Sequence, residues 1–371
     1  MLSRSGWKIV LDIIAQATHL GFNPPDKMVL EEFLDLSVEF VNIIVANHLN
    51  YIGVNGLVFL IDILYRFASH KQDLSASAIS LELFHQMANH LFIVKAVEDK
   101  FLELWYGILV RLKELGCDER MEIRAKVLDT LDDIFRDNAN KAPLKVWSYF
   151  FFEILPQLIQ VSEVNFLISR DDIKGTEITI SHNLPTPTFR LKGPFTANSI
   201  EYEKEATTLA TKTFMKEWEK SMTKLLFTSV KILFSFKQLT EETEIKNEIV
   251  KKAWNMIIEI YTRVVKSGTY KIICAVLEAI YEKSLPFKNY INNYLEDIWE
   301  VFKGIKIWIE MKYQAERSNK IHIGSKIAPI IIKTLENVFD RNDIFTPKTM
   351  LELCDLLNTV ILYVDWVVIN V

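Results

Sequence analysis

The chain has 371 residues, half of them hydrophobic, with only 11 Gly and 10 Pro, a balance that excludes wholesale disorder and favours long helices. Its formal net charge of −5 argues against nucleic acid as the main partner. At this length a single spherical core stops growing, which leaves two domains or an elongated stack.

The opening, MLSRSGWKIVLDIIAQA, has the apolar look of a signal peptide. Lys8 and Asp12 interrupt it, and the pattern continues as an amphipathic helix. Helical pairs then follow at 6–20 with 27–47, 55–69 with 73–92, and 94–116 with 119–137. Leu102, Trp105, Leu109 and Leu112 fall three or four apart, as do Ile123, Val127, Leu131 and Ile134, so each set marks one helical face. The outer face of the second helix carries Glu122, Lys126, Asp129 and Asp133. Pairs repeating every roughly 40 residues predict an all-α, HEAT/armadillo-like helical-repeat solenoid. Neither helix can bury its stripe alone, so neighbouring pairs must stack. The most apolar window, Val146 to Ile159, contains Glu153 and Pro156. It reads as a buried core helix too short to span a bilayer.

The first helical half is expected to cover 1–161. Residues 162–200 break the period with Gly175, Pro185, Pro187, Gly193 and Pro194, and predict an irregular, disordered insertion in which Ile178 to Ile180 offer at most a short strand. Limited trypsin digestion is expected to cut first at Arg170, Lys174, Arg190 or Lys192. A first cut inside 102–135 would overturn this division. Helices resume near 202 and fill 201–371, with breaks near 238–242, 266–269, 284–288, 316–323 and 341–346. The last helix is expected to open at Thr346 and Pro347. It runs to an apolar end, where a solenoid normally has a polar cap, so the chain is expected to be one piece of a longer protein.

Catalytic motifs fail in turn: there is no phosphate loop, no GxGxxG after a strand, no GxSxG elbow and no HExxH. His85 and His90 are five apart, the wrong spacing for two ligands on one helical face. The pairs Asp132–Asp133 and Asp171–Asp172 are expected to be solvated. Cys117, Cys274 and Cys354 lack paired spacing and read as reduced core thiols of a cytosolic protein. No metal, cofactor or catalytic residue is expected.

Two surface features stand out. Lys212, Lys216, Lys220 and Lys224 recur every four residues, forming a basic ridge opposite Phe214, Trp218, Met222 and Leu225. It could meet anionic headgroups or an acidic partner, although a solvated face partly neutralised by Glu217 and Glu219 is the commoner outcome for such a run. The second is GCDERMEIR: Asp118 is placed to cap the following helix, and Arg120 and Arg124, four apart, to reach carboxylates of neighbouring repeats.

The segment ELWYGILVRLKELGCDERMEIRAKVLDTLDDIF resembles the downstream homology repeat of the large Arf guanine nucleotide exchange factors. The pattern falls on Leu104–Trp105, then Asp118, Arg120, Glu122, Ile123 and Arg124, and departs at Ile134–Phe135, where the family ends in Leu-Phe. SGWKIVLDIIAQA, FASHKQDLSASAISLELFHQMANHLF and VWSYFFFEILPQLI are similar to further family segments in order. After the insertion, KEWEKSMTKLLFTSVKILFSF, VLEAI and FTPKTMLELCDLLNTVILY are most similar to the C-terminal region of the Mon-two (monensin-sensitivity) family. That resemblance implies a non-catalytic scaffold, cytoplasmic and peripheral at Golgi or endosome membranes. It implies protein partners such as a Dopey-family protein or an Arf-like GTPase, with Trp105, Asp118, Arg120 and Arg124 as the structural repeat motif. Two alternatives remain open: the regulatory C-terminal region of an active Arf exchange factor, and an unrelated HEAT-repeat transport adaptor.

Overall fold

The computed structural model describes residues 4–20, 27–71, 73–91, 98–168, 197–239, 243–288, 291, 293–316, 324–338 and 351–360. Among these the chain is all-helical, without strands. The first pair is α1 (Arg4–Leu20) and α2 (Lys27–Asn47); the second is α3 (Val54–Ala68) and α4 (Leu74–Leu91); the third is α5 (Glu98–Gly116) and α6 (Met121–Asp137). One continuous helical rod follows, made of α7 (Leu144–Tyr149), a π-turn at Phe150–Ile154 and α8 (Leu155–Ile168). Beyond it come α9 (Ala197–Leu239), α10 (Glu244–Ser267), α11 (Tyr270–Ala279) with its own π-turn at Ile280–Ser284, α12 (Tyr294–Glu316) and α13 (Gly324–Val338). Residues 351–360 are helical as well.

Helices pack in two rows. In one, α1 meets α3, α3 meets α5, α5 meets the α7–α8 rod, and α10 meets α12. In the other, α2, α4, α6, α9, α11 and α13 touch in that order. A single apolar core runs between the rows, from Trp7 and Leu11 through Trp105, Trp147, Trp254 and Ile305 to Leu356. Closeness within a row depends on small residues at crossings. A Cβ on Gly304 of α12 would lie 2.7 Å from Val265 Cγ2 of α10 and 3.4 Å from Thr262 O, so a larger residue there would displace the Val265 side chain and crowd the α10 backbone.

Polar ties join several helices to their neighbours in the row. Asp62 of α3 accepts from Arg111 of α5 at 2.6 Å, 49 positions on, and Lys126 of α6 donates to Glu82 of α4 at 2.7 Å, 44 positions back. Asp297 of α12 accepts from Trp254 of α10 at 2.8 Å, 43 positions back, and Trp299 donates to Glu352, 53 positions on. The spacing therefore exceeds the 40 expected from helix lengths. Across the α8–α9 connection it doubles: Lys224 meets Asp129, 95 positions back, at 2.7 Å, and Arg263 meets Glu163, 100 back, at 2.8 Å. The extra length is made up of the 28 residues between Ile168 and Ala197 together with the N-terminal part of the 43-residue α9.

The expected insertion at 162–200 is narrower at both edges, since α8 continues to Ile168 and α9 begins at Ala197. Residues 169–196, with Asp171–Asp172 and the Ile178 to Ile180 run, lie outside the described residues, as do Thr346 and Pro347. The expectation that 146–159 is too short to cross a bilayer is corrected by the unbroken Leu144–Ile168 rod. At 25 residues it is long and apolar enough to cross a membrane by length and composition. Here, however, Trp147, Phe150, Phe151, Ile154 and Leu158 are buried in the core.

Both π-turns stand directly before a Leu-Pro step, Leu155–Pro156 and Leu285–Pro286. A proline ring clashes with the carbonyl four residues back. Widening the preceding turn, with Leu155 N–H donating to Phe150 O, makes room for it while the rod continues.

Candidate functional site

The GCDERMEIR segment turns the chain from α5 into α6. Asp118 is not the cap the spacing implied: Arg120 holds that position, with extended backbone and no side-chain cap bond. Asp118 instead folds onto Arg120, its Oδ1 accepting from the Arg120 backbone N–H at 2.8 Å and from Nε at 2.9 Å. This bent carboxylate aims the Arg120 guanidinium backwards, where it donates to His70 O at 2.6 Å, Ala68 O at 3.0 Å and Ser77 Oγ at 3.1 Å. Arg120 therefore ties the third pair to the α3–α4 turn.

Arg124, one helical turn later, points the other way. It is 1 % exposed. Its Nε donates to Ser221 Oγ of α9 at 2.8 Å, its Nη1 donates to Asp118 O and Glu119 O, both at 2.7 Å, and its guanidinium lies 3.8 Å from the Trp218 ring centroid. Among the described residues no carboxylate pairs with it: a hydroxyl, two carbonyls and an indole face hold the cation. Burial pushes Arg124 down to about 10, against the opposing pull of Glu217 and Asp118, so it stays charged at neutral pH. Burial likewise raises the Cys117 thiol beside it to about 11, leaving it protonated and a poor nucleophile.

The lysine ridge is broken up by its neighbours. The Lys212 side chain lies outside the described residues, and Lys216 and Lys220 are exposed. Lys224 is spent on Asp129, fewer than two turns along α9 from Trp218. The neutralising role expected of Glu219 is also corrected. It is 4 % exposed and accepts from Thr269 Oγ1 at 2.5 Å and Lys271 Nζ at 2.8 Å on the next helix. Phe214, Trp218, Met222 and Leu225 do face the core, the last three fully buried.

Other sequence expectations divide in the same way. Asp132, read as solvated, is 8 % exposed and pairs with Lys231 of α9 at 2.6 Å. Asp133 pairs with Arg136 at 2.7 Å. His85 Nε2 lies 2.9 Å from Asp137 Oδ2, whereas burial lowers His90. No group of three His, Cys, Asp or Glu stands close enough to hold a metal ion among the described residues. Cys117 and Cys274 are partly buried, but Cys354 is exposed rather than a core thiol.

A cleft of about 920 Å³ opens along α10, with α8 on one side and α12 on the other. Leu167 and Ile258 supply apolar lining, and Lys251, Glu259, Lys266 and Asp297 supply charge. Burial raises the Asp297 carboxyl, against the hydrogen bond from Trp254. No local pattern encodes this cleft, because its walls come from helices separated by the long α8–α9 connection.

No protein-family profile matches the chain, and no curated protein matches it. A solved structure described as "Computational Design of Self-Assembling Cyclic Protein Homooligomers" aligns over 98% of this chain and 96% of its own, at 10% identity and a TM-score of 0.25. A likeness that low carries no argument about fold or function.

Proposed function

We propose that this chain is a HEAT-type helical-repeat scaffold that binds protein partners rather than performing chemistry, and that it serves Golgi and endosome traffic as a Mon-two-type C-terminal region. The observation that carries the scaffold reading is the use of its polar side chains. Arg111, Arg120, Arg124, Lys126, Glu163 and Glu219 are spent joining one helix to its neighbour in the row. Such nearest-neighbour ties are what a stacked array requires. The trafficking part rests on the motif resemblance, with Asp118, Arg120 and Arg124 as its core, and the open cleft along α10 offers room for a partner segment.

The test is to express the tagged chain and follow where it goes and what it holds. Concentration at Golgi or endosome membranes together with recovery of a Dopey-family protein is expected. A uniform cytosolic distribution with no such recovery would sink the trafficking reading while leaving the scaffold reading to be judged on other partners.

Contact with anionic membrane is a separate arm. Among the described side chains of the ridge, Lys216 and Lys220 are exposed and outside any ion pair, whereas Lys224 is not. At about 1 kcal/mol per lysine near an anionic surface, converting both to Ala should weaken liposome binding by roughly 30-fold. Sedimentation with phosphatidylserine vesicles reads this directly, and equal binding by parent and variant would make the ridge a solvated face. Lys224 is left intact, since replacing it would also break its pair with Asp129.

A further inference from the structure

We propose that the cleft along α10 holds an extended segment of a partner protein, one on which a basic side chain stands between two acidic ones. This occupant presupposes the scaffold reading and gives the chemistry of its partner at one site. The α7 end of the rod touches α10. Alongside α8 the two part, and the cleft of about 920 Å³ opens between α8 and α12. Its floor is a strip of α10 on which Lys251, Asn255, Glu259 and Lys266 are exposed, with Ile258 beneath them at 7%.

This strip is too polar to serve as a helix contact. The α8 wall presents Glu163 and Leu167, and Glu163 already pairs with Arg263 at 2.8 Å. On the α12 wall, Asp297 accepts from Trp254 at 2.8 Å and Glu300 pairs with Lys303 at 2.7 Å. Lys251, Glu259 and Lys266 make no ion pair among the described residues. Laying α8 flat on the strip would desolvate all three without a partner for any of them. Charge therefore keeps the row open here, and whatever enters must bring the opposite charges with it.

Order and spacing select the occupant. Along α10 the unpaired charges run plus, minus, plus. Glu259 is eight positions after Lys251 and seven before Lys266, steps of about 12 and 10 Å along the axis. The two lysines are thus about 22 Å apart, too far for one small molecule to reach both. An extended chain covers each step in about three to four residues. The complementary pattern is acid, base, acid, and its symmetry lets it fit in either chain direction. Asn255 and Asn293, both exposed at the cleft, each offer an amide donor and acceptor to the segment's backbone.

The test uses the full chain and two end-blocked peptides of about eight residues. They are alike except that one carries glutamate at both ends and lysine in the middle, and the other the reverse. Fluorescence anisotropy should show the first binding at least about tenfold more tightly. Bulk attraction to a chain of net charge −5 favours the second peptide instead, so this order cannot be non-specific. The Lys251→Glu, Glu259→Lys, Lys266→Glu triple variant should reverse the preference with its helical circular dichroism unchanged. Lys266→Gln replaces the triple variant if that one fails to fold, and should narrow the preference. Equal binding of the two peptides, tighter binding of the second, or a preference untouched by the substitutions overturns the proposal. So does binding that appears only after residues 169–196 are replaced by a glycine–serine linker, since the chain's own segment would then be the occupant. A doubling of mass of the parent alone in sedimentation velocity that the triple variant abolishes also overturns it, the occupant then being a second copy. Recovery of partner proteins that is undiminished in the triple variant would overturn this site while leaving the scaffold reading standing.

Discussion

Trp105→Ala should lower the unfolding free energy by about 3–5 kcal/mol, read from the urea midpoint at constant slope. Trp105 is 0% exposed and sits on α5, the helix flanked in its row by α3 and the α7–α8 rod. The void left by the indole would close only if those neighbours moved inward. Ties at the surface fix their spacing: Arg111 to Asp62 on one side and Lys113 to Gln157 on the other, at 2.6 and 2.9 Å. Gly116 lets α8 come close, since Leu158 Cδ2 lies 2.6 Å from where a Cβ would stand, so this contact is already tight. The cavity should therefore persist, which puts the cost at the upper part of the range. Ile13→Ala, at a site 63% exposed, is the matched control and should change stability by no more than about 0.5 kcal/mol. A Trp105→Ala midpoint indistinguishable from the parent would mean that α5 does not occupy the centre of its row.

Much of the first half was legible from spacing. Helices expected at 27–47, 55–69 and 119–137 occur at Lys27–Asn47, Val54–Ala68 and Met121–Asp137, because apolar residues three and four apart stop at clear polar breaks. The π-turn at Phe150–Ile154 was invisible for the same reason: periodicity continues through Phe150, Phe151 and Ile154 whether the turn is normal or wide. Side-chain destinations were the hardest to read. Arg120 and Arg124 are four apart, which implied a shared role, yet Arg120 stands at the helix cap and reaches back to His70 while Arg124 reaches forward to Ser221. That second contact spans 97 positions, and no local pattern encodes it. Asp132 beside Asp133 looked like ordinary solvated surface, but it lies two turns after Arg124 on the same α9-facing side, where Lys231 meets it. Solvation of a carboxylate depends on what packs over the helix, and here the covering helix comes from beyond the long connection.

Arg124→Ala should cost about 2–4 kcal/mol, combining charge-assisted bonds worth about 1.5–3 kcal/mol each with a desolvated cation–aromatic contact of about 2, less the relief of removing a buried charge. The substitution strands Asp118 O and Glu119 O, both of which accept from Nη1 at 2.7 Å. It also uncovers the face of Trp218, itself 3% exposed. Arg124→Met separates these effects, since it keeps most of the volume but supplies no donor. If hydrogen bonding dominates, Met should be nearly as damaging as Ala; if packing dominates, Met should recover most of the loss. A double-mutant cycle with Trp218→Leu should return a coupling of about 1–2 kcal/mol. Location sharpens the expectation further. Arg124 is the buried polar tie among those that join α6 to α9 across the long connection, while the printed tie of the other row among the described residues, Arg263 to Glu163, lies on an exposed face. A nearest-neighbour array weakened at one junction loses cooperativity there first. Urea unfolding of Arg124→Ala should therefore broaden, with circular dichroism and tryptophan fluorescence no longer coincident, as the helices before the connection and those after it melt apart. A single sharp transition with unchanged midpoint would show that Arg124 is not what fastens the two halves.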